Sequence, residues 1–295
     1  MKHLIKDAYD LHIHPGPDLL PRKMDDMEMA QRIIAAGMAG YAMKSHFFCT
    51  AERAYLINKM FPGCDAIGAL CLNNAVGGVN PAAVDFAGRS GAKIIWMPTT
   101  DSAHEQKLVF GGTEKKKLPY WATLIIQLRE EGIKLPDLAV LDENDKLTSA
   151  AIEVLDIIAR QNLILATGHL SQREVRILLK EAQARGVKNI VVTHADYPGT
   201  YYSIEQQKEL VGYGATIEHC YTTWFSGKVT FEETTEQIRA VGPANCILST
   251  DLGQKKNCYP DEGLLEFAVK LHEVGVSEGD LRTMLVTNPR RLLGK

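Results

Sequence analysis

Several histidines stand directly after short apolar runs, where they could jointly bind a metal ion. In the segment 10–14, residues i and i+2 of a strand point to the same side, so two imidazoles project together. Three further apolar runs end in a histidine or an aspartate. Imidazole and carboxylate groups are suitable ligands for divalent transition metals. The residues that share this placement are His12, His14, His169, His194 and Asp251.

A second pair of polar residues, Lys44 and His46, follows the next apolar run. The same spacing predicts that both face one side. A lysine in an apolar strand is costly to bury unless it is paired or modified. The sequence leaves open whether Lys44 forms a salt bridge, reaches out to solvent, or serves the site that the histidines indicate.

Strands and helices alternate along the chain, and this alternation predicts how the polar residues are positioned. Most predicted strands start about 30 residues apart, which is typical of βαβ units and a parallel sheet. Eight such units favour a (β/α)8 TIM-type barrel, whose active site lies at the carboxyl ends of the strands. A doubly wound open sheet is the alternative. The predicted strands are 7–13, 38–44, 66–72, 93–97, 163–168, 189–193, 215–218 and 246–250.

One step between strands is longer, about 70 residues, and marks residues 99–150 as an insertion after strand four. It contains a polar, lysine-containing loop, a helical stretch near 118–131 and a hairpin around 142–145. We expect this segment to lie over the carboxyl end of the barrel as a lid. The whole chain, 1–295, is then a single domain.

The composition excludes several other classes of protein. The formal net charge is −3, which gives no electrostatic reason to expect nucleic acid or an anionic membrane as a partner. No apolar run is long enough to span a bilayer, and the first ten residues lack the apolar core of a signal peptide. Six dispersed cysteines without a CxxC pair predict reduced thiols and a cytoplasmic protein. A homo-oligomer is compatible with these features.

Taken in order, the predicted ligands resemble those of the amidohydrolase superfamily of metal-dependent hydrolases. That family has an HxH motif after strand one, histidines after strands five and six, and an aspartate after strand eight. The end of the chain, 287–294, is similar to the family's Asn-Pro-x-Arg-x-Leu-Gly run. The resemblance covers nearly the whole chain and implies a barrel hydrolase, but not its substrate.

The chain departs from this family at strand four, where binuclear members carry a carbamylated lysine or a glutamate that bridges two metals. Here strand four ends in Trp96-Met97-Pro98-Thr99, which offers no such ligand. The resemblance therefore makes Lys44 a candidate carbamate ligand or a substrate-binding cation. His46 becomes an extra ligand or a proton shuttle.

The remaining candidates carry weaker signals. At the end of strand seven, only one of Glu218 and His219 can face inward. His3 and His272 are expected at the surface. The loop 73–78 is a candidate donor of backbone N–H groups to an anion, although a flexible turn is the simpler interpretation. His104, Glu105, Tyr197 and Tyr201 are further candidates for contacts at the mouth of the barrel.

These observations predict a metal-dependent hydrolase acting on a small-molecule amide, lactone or ester. The ligand set suits one or two Zn²⁺ ions, with Mn²⁺, Fe²⁺ or Ni²⁺ as alternatives. Such an ion lowers the pKa of water and polarises the scissile group. The resemblance implies that Asp251 accepts the proton of the water and passes it to the leaving group. A phosphoesterase of the polymerase-and-histidinol-phosphatase type, a lyase or decarboxylase, and a non-catalytic metal- or metabolite-binding barrel are the alternatives.

Overall fold

The computed structural model describes residues 1–111 and 118–295, and of Tyr120 only the backbone. Within these ranges, eight parallel strands alternate with helices, as the sequence predicts. Each observed strand begins and ends within two residues of its predicted bounds. The strands are β1 (Tyr9–Ile13), β2 (Gly40–Met43), β3 (Asp65–Cys71), β4 (Ala92–Trp96), β5 (Ile164–Ala166), β6 (Asn189–Val192), β7 (Ala215–Cys220) and β8 (Cys246–Ser249).

The sheet closes into a barrel, so the open doubly wound alternative is wrong. Neighbouring strands pair in sequence order from β1 to β8. Beyond the end of β8, the backbone N–H of Asp251 donates to the carbonyl of His12 at 2.8 Å, and that of His14 donates to the carbonyl of Leu252 at 2.8 Å. These bonds join the last strand to the first at the end of the barrel that carries the predicted ligands.

Helices surround the barrel, and polar caps define where several of them begin. Ser171 and Ser203 form capping boxes, and Asn80 caps its helix ahead of a proline at the first position. Thr230 caps its helix by accepting from the N–H of Glu233. The helices are α1 (Asp26–Ala36), α2 (Ala51–Met60), α3 (Pro81–Arg89), α4 (Ala103–Phe110), α5 (Tyr120–Glu130), α6 (Ser149–Gln161), α7 (Gln172–Ala184), α8 (Ile204–Gly212), α9 (Tyr221–Phe225), α10 (Phe231–Val241), α11 (Pro260–Glu273), α12 (Glu278–Arg282) and α13 (Asn288–Leu293), with a π-helical turn at Thr283–Thr287 and 3₁₀ turns at Lys2–Ile5, Asn74–Val76 and Pro243–Asn245.

Apolar side chains form two clusters, one inside the barrel and one between strands and helices. The inner cluster includes Leu11, Ile67 and Trp96, and Leu292 and Leu293 of α13 join it. The outer cluster packs the helices against the sheet. Because side chains alternate along a strand, most residues on both faces of the strands are buried, as is typical of parallel sheets. This packing gives the strand ends a rigid base.

The insertion after β4 contains α4, α5 and the predicted hairpin, where Leu141 pairs antiparallel with Leu147 and the N–H of Asp142 donates to the carbonyl of Lys146. The predicted helix near 118–131 is present as α5, whereas most of the predicted lysine-containing loop lies outside the described residues. Among the helices that the structure describes, none combines the length and apolar character needed to cross a bilayer. All six cysteines are free thiols, as predicted.

Candidate metal centre

Five imidazole rings meet at the carboxyl end of the barrel and form a closed circuit. Going round the circuit, ring centroids lie 5.5 Å apart for His12 and His14, 4.8 Å for His14 and His46, and 6.2 Å for His46 and His169. The circuit closes with 5.0 Å between His169 and His194 and 5.9 Å between His194 and His12. The structure therefore brings together five of the six histidines that the sequence placed at strand ends, all except His219. We call this set the histidine ring.

The strand ends position these rings through local backbone geometry. His12 lies within β1, and His14 follows its last residue. Strand β2 ends at Met43, so Lys44 lies just beyond it and not at its last position, as the predicted bounds 38–44 placed it. Lys44 and His46 both face the site. His194 and Asp251 both have positive φ, 30° and 53°. Such backbone strain is uncommon outside glycine and concentrates at functional sites.

Asp251 joins two rings of the site. Its Oδ1 lies 3.2 Å from Nε2 of His12 and 3.1 Å from Nε2 of His14, and the hydroxyl of Thr222 donates to its Oδ2. Burial would raise the pKa of Asp251, but the two imidazoles outweigh this effect and hold the pKa well below its usual range. The side chain remains 26% exposed, so this carboxylate faces the mouth of the barrel.

His12 is fully buried, and its two ring nitrogens contact groups of opposite charge type, a carboxylate and an amine. Nδ1 lies 3.1 Å from Oε2 of Glu218, and Nε2 lies 2.9 Å from Nζ of Lys44. Burial lowers the pKa of His12, as does Lys44, but Glu218 and Asp251 outweigh both and raise it to about 8. A carboxylate on Nδ1 favours a proton there, so Nε2 is the nitrogen that gives up its proton when His12 becomes neutral and acts as a ligand.

Three other rings have a net pKa shift opposite to that of His12. Burial lowers the pKa of His14, His46 and His194 well below the usual range, and nearby cationic groups act in the same direction. Asp251 opposes this effect at His14 and His194 without reversing it. These imidazoles are therefore neutral at neutral pH. The neutral form is the one that binds metal ions.

Lys44 is 1% exposed and extends into the centre of the site. Its Nζ lies 5.0 Å from the centroid of the Trp96 ring in addition to its contact with His12. No carboxylate in the described residues lies within ion-pair distance of Nζ. The salt-bridged and solvent-reaching alternatives for Lys44 are therefore wrong, because its side chain is buried and faces a ring nitrogen.

The outer nitrogens of the other rings have partners of their own. Nδ1 of His46 lies 2.8 Å from the hydroxyl of Thr99, just after β4, and Nδ1 of His194 lies 2.9 Å from the hydroxyl of Thr200. Nδ1 of His169 lies 3.6 Å from Oε2 of Glu105 in α4. Thus the insertion contributes a carboxylate at the site.

The weaker candidates differ in whether their side chains face the site. Glu218 faces the site, and its neighbour His219 faces away, 3.3 Å from Asp196. His104 is held by the carbonyl of Gly199, and the hydroxyl of Tyr201 donates to Glu233. The ring of Tyr197 lies 5.1 Å from that of His194, at the edge of the histidine ring.

Most N–H groups of the loop 73–78 already have partners. The N–H of Asn74 donates to Asp101, and those of Val76, Gly77 and Gly78 donate to carbonyls of the same loop. These bonds favour the simpler interpretation of the loop as a turn. At the surface, His3 is exposed as predicted, whereas His272 is only partly exposed.

Some site residues carried no signal in the sequence. Sγ of Cys220 lies 3.9 Å from Nδ1 of His12 and completes a possible ligand group with Glu218. Burial raises the pKa of Cys220 well above its usual range, so the thiol stays protonated and is a poor ligand. Thr99, Thr200 and Thr222 were missed because isolated threonines show no pattern; only their position after a strand connects them with the site.

The residues present fit a divalent metal ion. Single ligand atoms of His12, His14 and Asp251 lie within 4.8 Å of one another, close enough to share one ion. Imidazole nitrogens with one carboxylate match the preferences of Zn²⁺ and similar ions.

Comparisons with known proteins agree with this fold. The profile of a family described as a family of unknown function (DUF6282) matches residues 7–218. No curated protein sequence matches the chain.

Solved structures of the same architecture cover nearly all of the chain. An amidohydrolase from Pseudomonas aeruginosa is 11% identical with a TM-score of 0.64, covering 99% of this chain and 97% of that one. The phosphotriesterase homology protein from Escherichia coli, complexed with phosphate in its active site, is 14% identical with a TM-score of 0.60, covering 98% and 99%. YJJV, a TatD homolog from Escherichia coli K12, is 18% identical with a TM-score of 0.58, covering 99% of each chain. The predicted resemblance to the amidohydrolase superfamily is thus confirmed at the level of the fold.

Proposed function

The chain belongs to the family of unknown function DUF6282, and we propose from its site that it is a metal-dependent hydrolase of a small-molecule amide, lactone or ester. The observation that carries this proposal is the histidine ring with Asp251 at its edge. Five imidazoles around one space have no evident structural purpose, since apolar side chains fill the barrel below them. The amidohydrolase and phosphotriesterase-like structures on the same fold support the same class of reaction.

His12, His14, His169, His194 and Asp251 would hold one or two divalent ions, Zn²⁺ being the best match and Mn²⁺, Fe²⁺ or Ni²⁺ the alternatives. The Lewis acidity that such an ion supplies lowers the pKa of water and polarises a carbonyl group. Glu218 and Glu105 orient His12 and His169 from outside the histidine ring.

Asp251 acts as general base and then as general acid. Its low pKa keeps it ionised at neutral pH, and its exposed edge lets it reach a water molecule and a substrate at the mouth. The hydroxyl of Thr222 and the ring of His14 hold the carboxylate in place. From this position Asp251 accepts a proton from the attacking water and returns it to the leaving group.

Lys44 has two roles compatible with its position, a carbamate ligand between two ions or a cation that contacts the substrate. Its Nζ lies beside the nitrogen of His12 that is free to bind metal. A crystal structure at high resolution separates the two: a carbamate shows extra density on Nζ between two ions, whereas a substrate-binding ammonium shows none.

The direct test is a screen of the metal-reconstituted enzyme against amides, lactones and phosphomonoesters. We expect hydrolysis of a carboxylic acid derivative that is lost on chelation and restored by adding the metal back. Cleavage of phosphomonoesters alone would favour a phosphoesterase. However, the polymerase-and-histidinol-phosphatase barrel has seven strands, and here eight pair in sequence. Carbon–carbon cleavage would indicate a lyase, and metal binding without turnover a binding protein.

A further inference from the structure

Lys228 lies at the edge of the metal centre on a segment that is tied to Asp251. It follows α9, and its N–H donates to the carbonyl of Thr223 at 3.2 Å. In the same helix, the N–H of Thr222 donates to the carbonyl of Thr250, and its hydroxyl donates to Asp251. The position of Lys228 is therefore coupled to the end of β8.

The ammonium group of Lys228 lies over an aromatic ring that borders the histidine ring. Its Nζ is 4.1 Å from the centroid of Tyr197, and that ring is 5.1 Å from His194. A cation over an aromatic face is held by the ring quadrupole without being neutralised. The lysine side chain is thus directed along the mouth of the site while its charge remains available.

The other cations of the site already have polar partners. Arg22 binds Asp18 at 2.7 Å, and Lys44 contacts His12 at 2.9 Å. For Lys228, no carboxylate in the described ranges lies within ion-pair distance. Burial lowers the pKa of Lys228, and Asp251 and Glu105 act against this effect from farther away, which is consistent with a position at the mouth.

We propose that Lys228 binds an anionic oxygen group of the substrate, a carboxylate or a phosphate, and that the substrate is therefore an acid. This inference rests on the proposed function, because it assigns the substrate class of the same site. The non-reacting acidic group would contact Lys228 beside Tyr197, while the scissile bond lies over the histidine ring next to Asp251. Lys228 is then a specificity-determining residue.

The test compares binding of matched probes to the full-length, metal-reconstituted protein by titration calorimetry. The probes are N-acetylglycine, its neutral analogue N-acetylglycinamide, and N-acetylaminomethylphosphonate. We expect the wild type to prefer an acid over the amide by about 10-fold or more, the size expected for a hydrogen bond to a charged group. The acid that binds more tightly tells carboxylate from phosphate.

Three variants assign the preference to this residue. Lys228→Met should abolish it without changing amide binding, and Lys228→Arg should retain it. Lys208→Met, at an exposed lysine of α8, should behave as the wild type. Equal binding of acid and amide by the wild type, no saturable binding of either acid, or an unchanged preference in Lys228→Met would overturn the proposal. Because binding is measured without turnover, failure of the hydrolase proposal would appear separately, in the substrate screen.

Discussion

Two carboxylates at the candidate metal centre, Glu218 and Asp251, contact histidine ring nitrogens, and we assign them different roles. Glu218 is buried, contacts Nδ1 of His12, and also accepts the N–H of His194 at 3.0 Å through the same oxygen. Burial raises the pKa of Glu218, but His12 outweighs it and holds the pKa below its usual value. Glu218 therefore stays ionised and fixes the orientation of His12.

Replacing this carboxylate should weaken metal binding more than it weakens the fold. In Glu218→Gln we expect metal affinity to fall by roughly 10–100-fold, since partners of metal-binding histidines contribute to this extent. Competition with a metal-sensitive chelator measures the effect. Glu174→Gln is the control, because Glu174 is also buried but serves a capping box in α7. Equal affinity in wild type and Glu218→Gln would refute the orienting role.

Asp251 follows a strand, where an aspartate often serves only as a helix cap. Here the next helix, α11, begins at Pro260 with Tyr259 at its cap position, so Asp251 caps no helix. We expect Asp251→Asn to lower turnover by roughly 10²–10⁴-fold, as for loss of a general base, with little change in the free energy of unfolding.

Asp25, an aspartate that does cap a helix, provides the matched control for Asp251. The side chain of Asp25 accepts the N–H of Glu28 at the start of α1. Asp25→Ala should lose about 0.5–2 kcal/mol of stability and keep its turnover. Chemical denaturation and steady-state kinetics on both variants check the contrast. Near wild-type turnover in Asp251→Asn would exclude Asp251 as the base.

At the scale of elements, the ends of the strands are held in place by close backbone packing. Gly168, just before His169, has a φ of +63°, and a Cβ there would lie 2.3 Å from the carbonyl oxygen of Met97. Gly186, after α7, has a similar φ of +76° with open space around it. Alanine substitutions at Gly168 and Gly186 therefore distinguish two contributions to the free energy of unfolding. One is the cost of a left-handed backbone conformation, and the other is the cost of the steric clash with the neighbouring backbone.

Gly186→Ala should cost ~1–2 kcal/mol, the penalty of an L-residue in a left-handed conformation. Gly168→Ala should cost more, because the neighbouring backbone must move as well, and it should displace His169 and reduce metal affinity. Urea denaturation and metal titration measure both effects. Equal losses of stability in the two variants would show that the close contact between Gly168 and the backbone after β4 does not constrain the site.

The bounds of the strands and the placement of the candidate ligands after them could be predicted because both depend on local sequence. The apolar runs indicated each strand, and the positions of the candidate ligands follow from those runs. These are His12, His14, His169, His194 and Asp251. The contacts of Glu105 and Lys228 could not be predicted in this way. They depend on how an insertion and a loop fold back across the barrel, which no local pattern encodes.

At the scale of the whole molecule, an ion held by residues from several strands should stabilise the entire barrel. The proposed ligands come from β1, β5, β6 and β8, so the intact site exists only in the folded chain. A ligand that binds only the folded state at a free concentration 100 times its Kd adds about 2.7 kcal/mol. We therefore expect chelation to lower the Tm and Zn²⁺ to restore it.

His14→Asn should lose most of this metal-dependent shift. His3→Asn should retain it, since His3 is exposed and pairs with Glu278 away from the barrel mouth. Differential scanning calorimetry with and without metal provides the measurement. A Tm that is independent of metal in the wild type would argue against an ion bound by several strands.

The most direct test of the central claim is the metal content of the protein, measured by elemental analysis after purification and again after reconstitution with Zn²⁺ and removal of excess ion. If the histidine ring and Asp251 form a metal centre, each chain will retain one or two divalent ions. Absence of a bound ion in both preparations would contradict the assignment of a metal-dependent hydrolase.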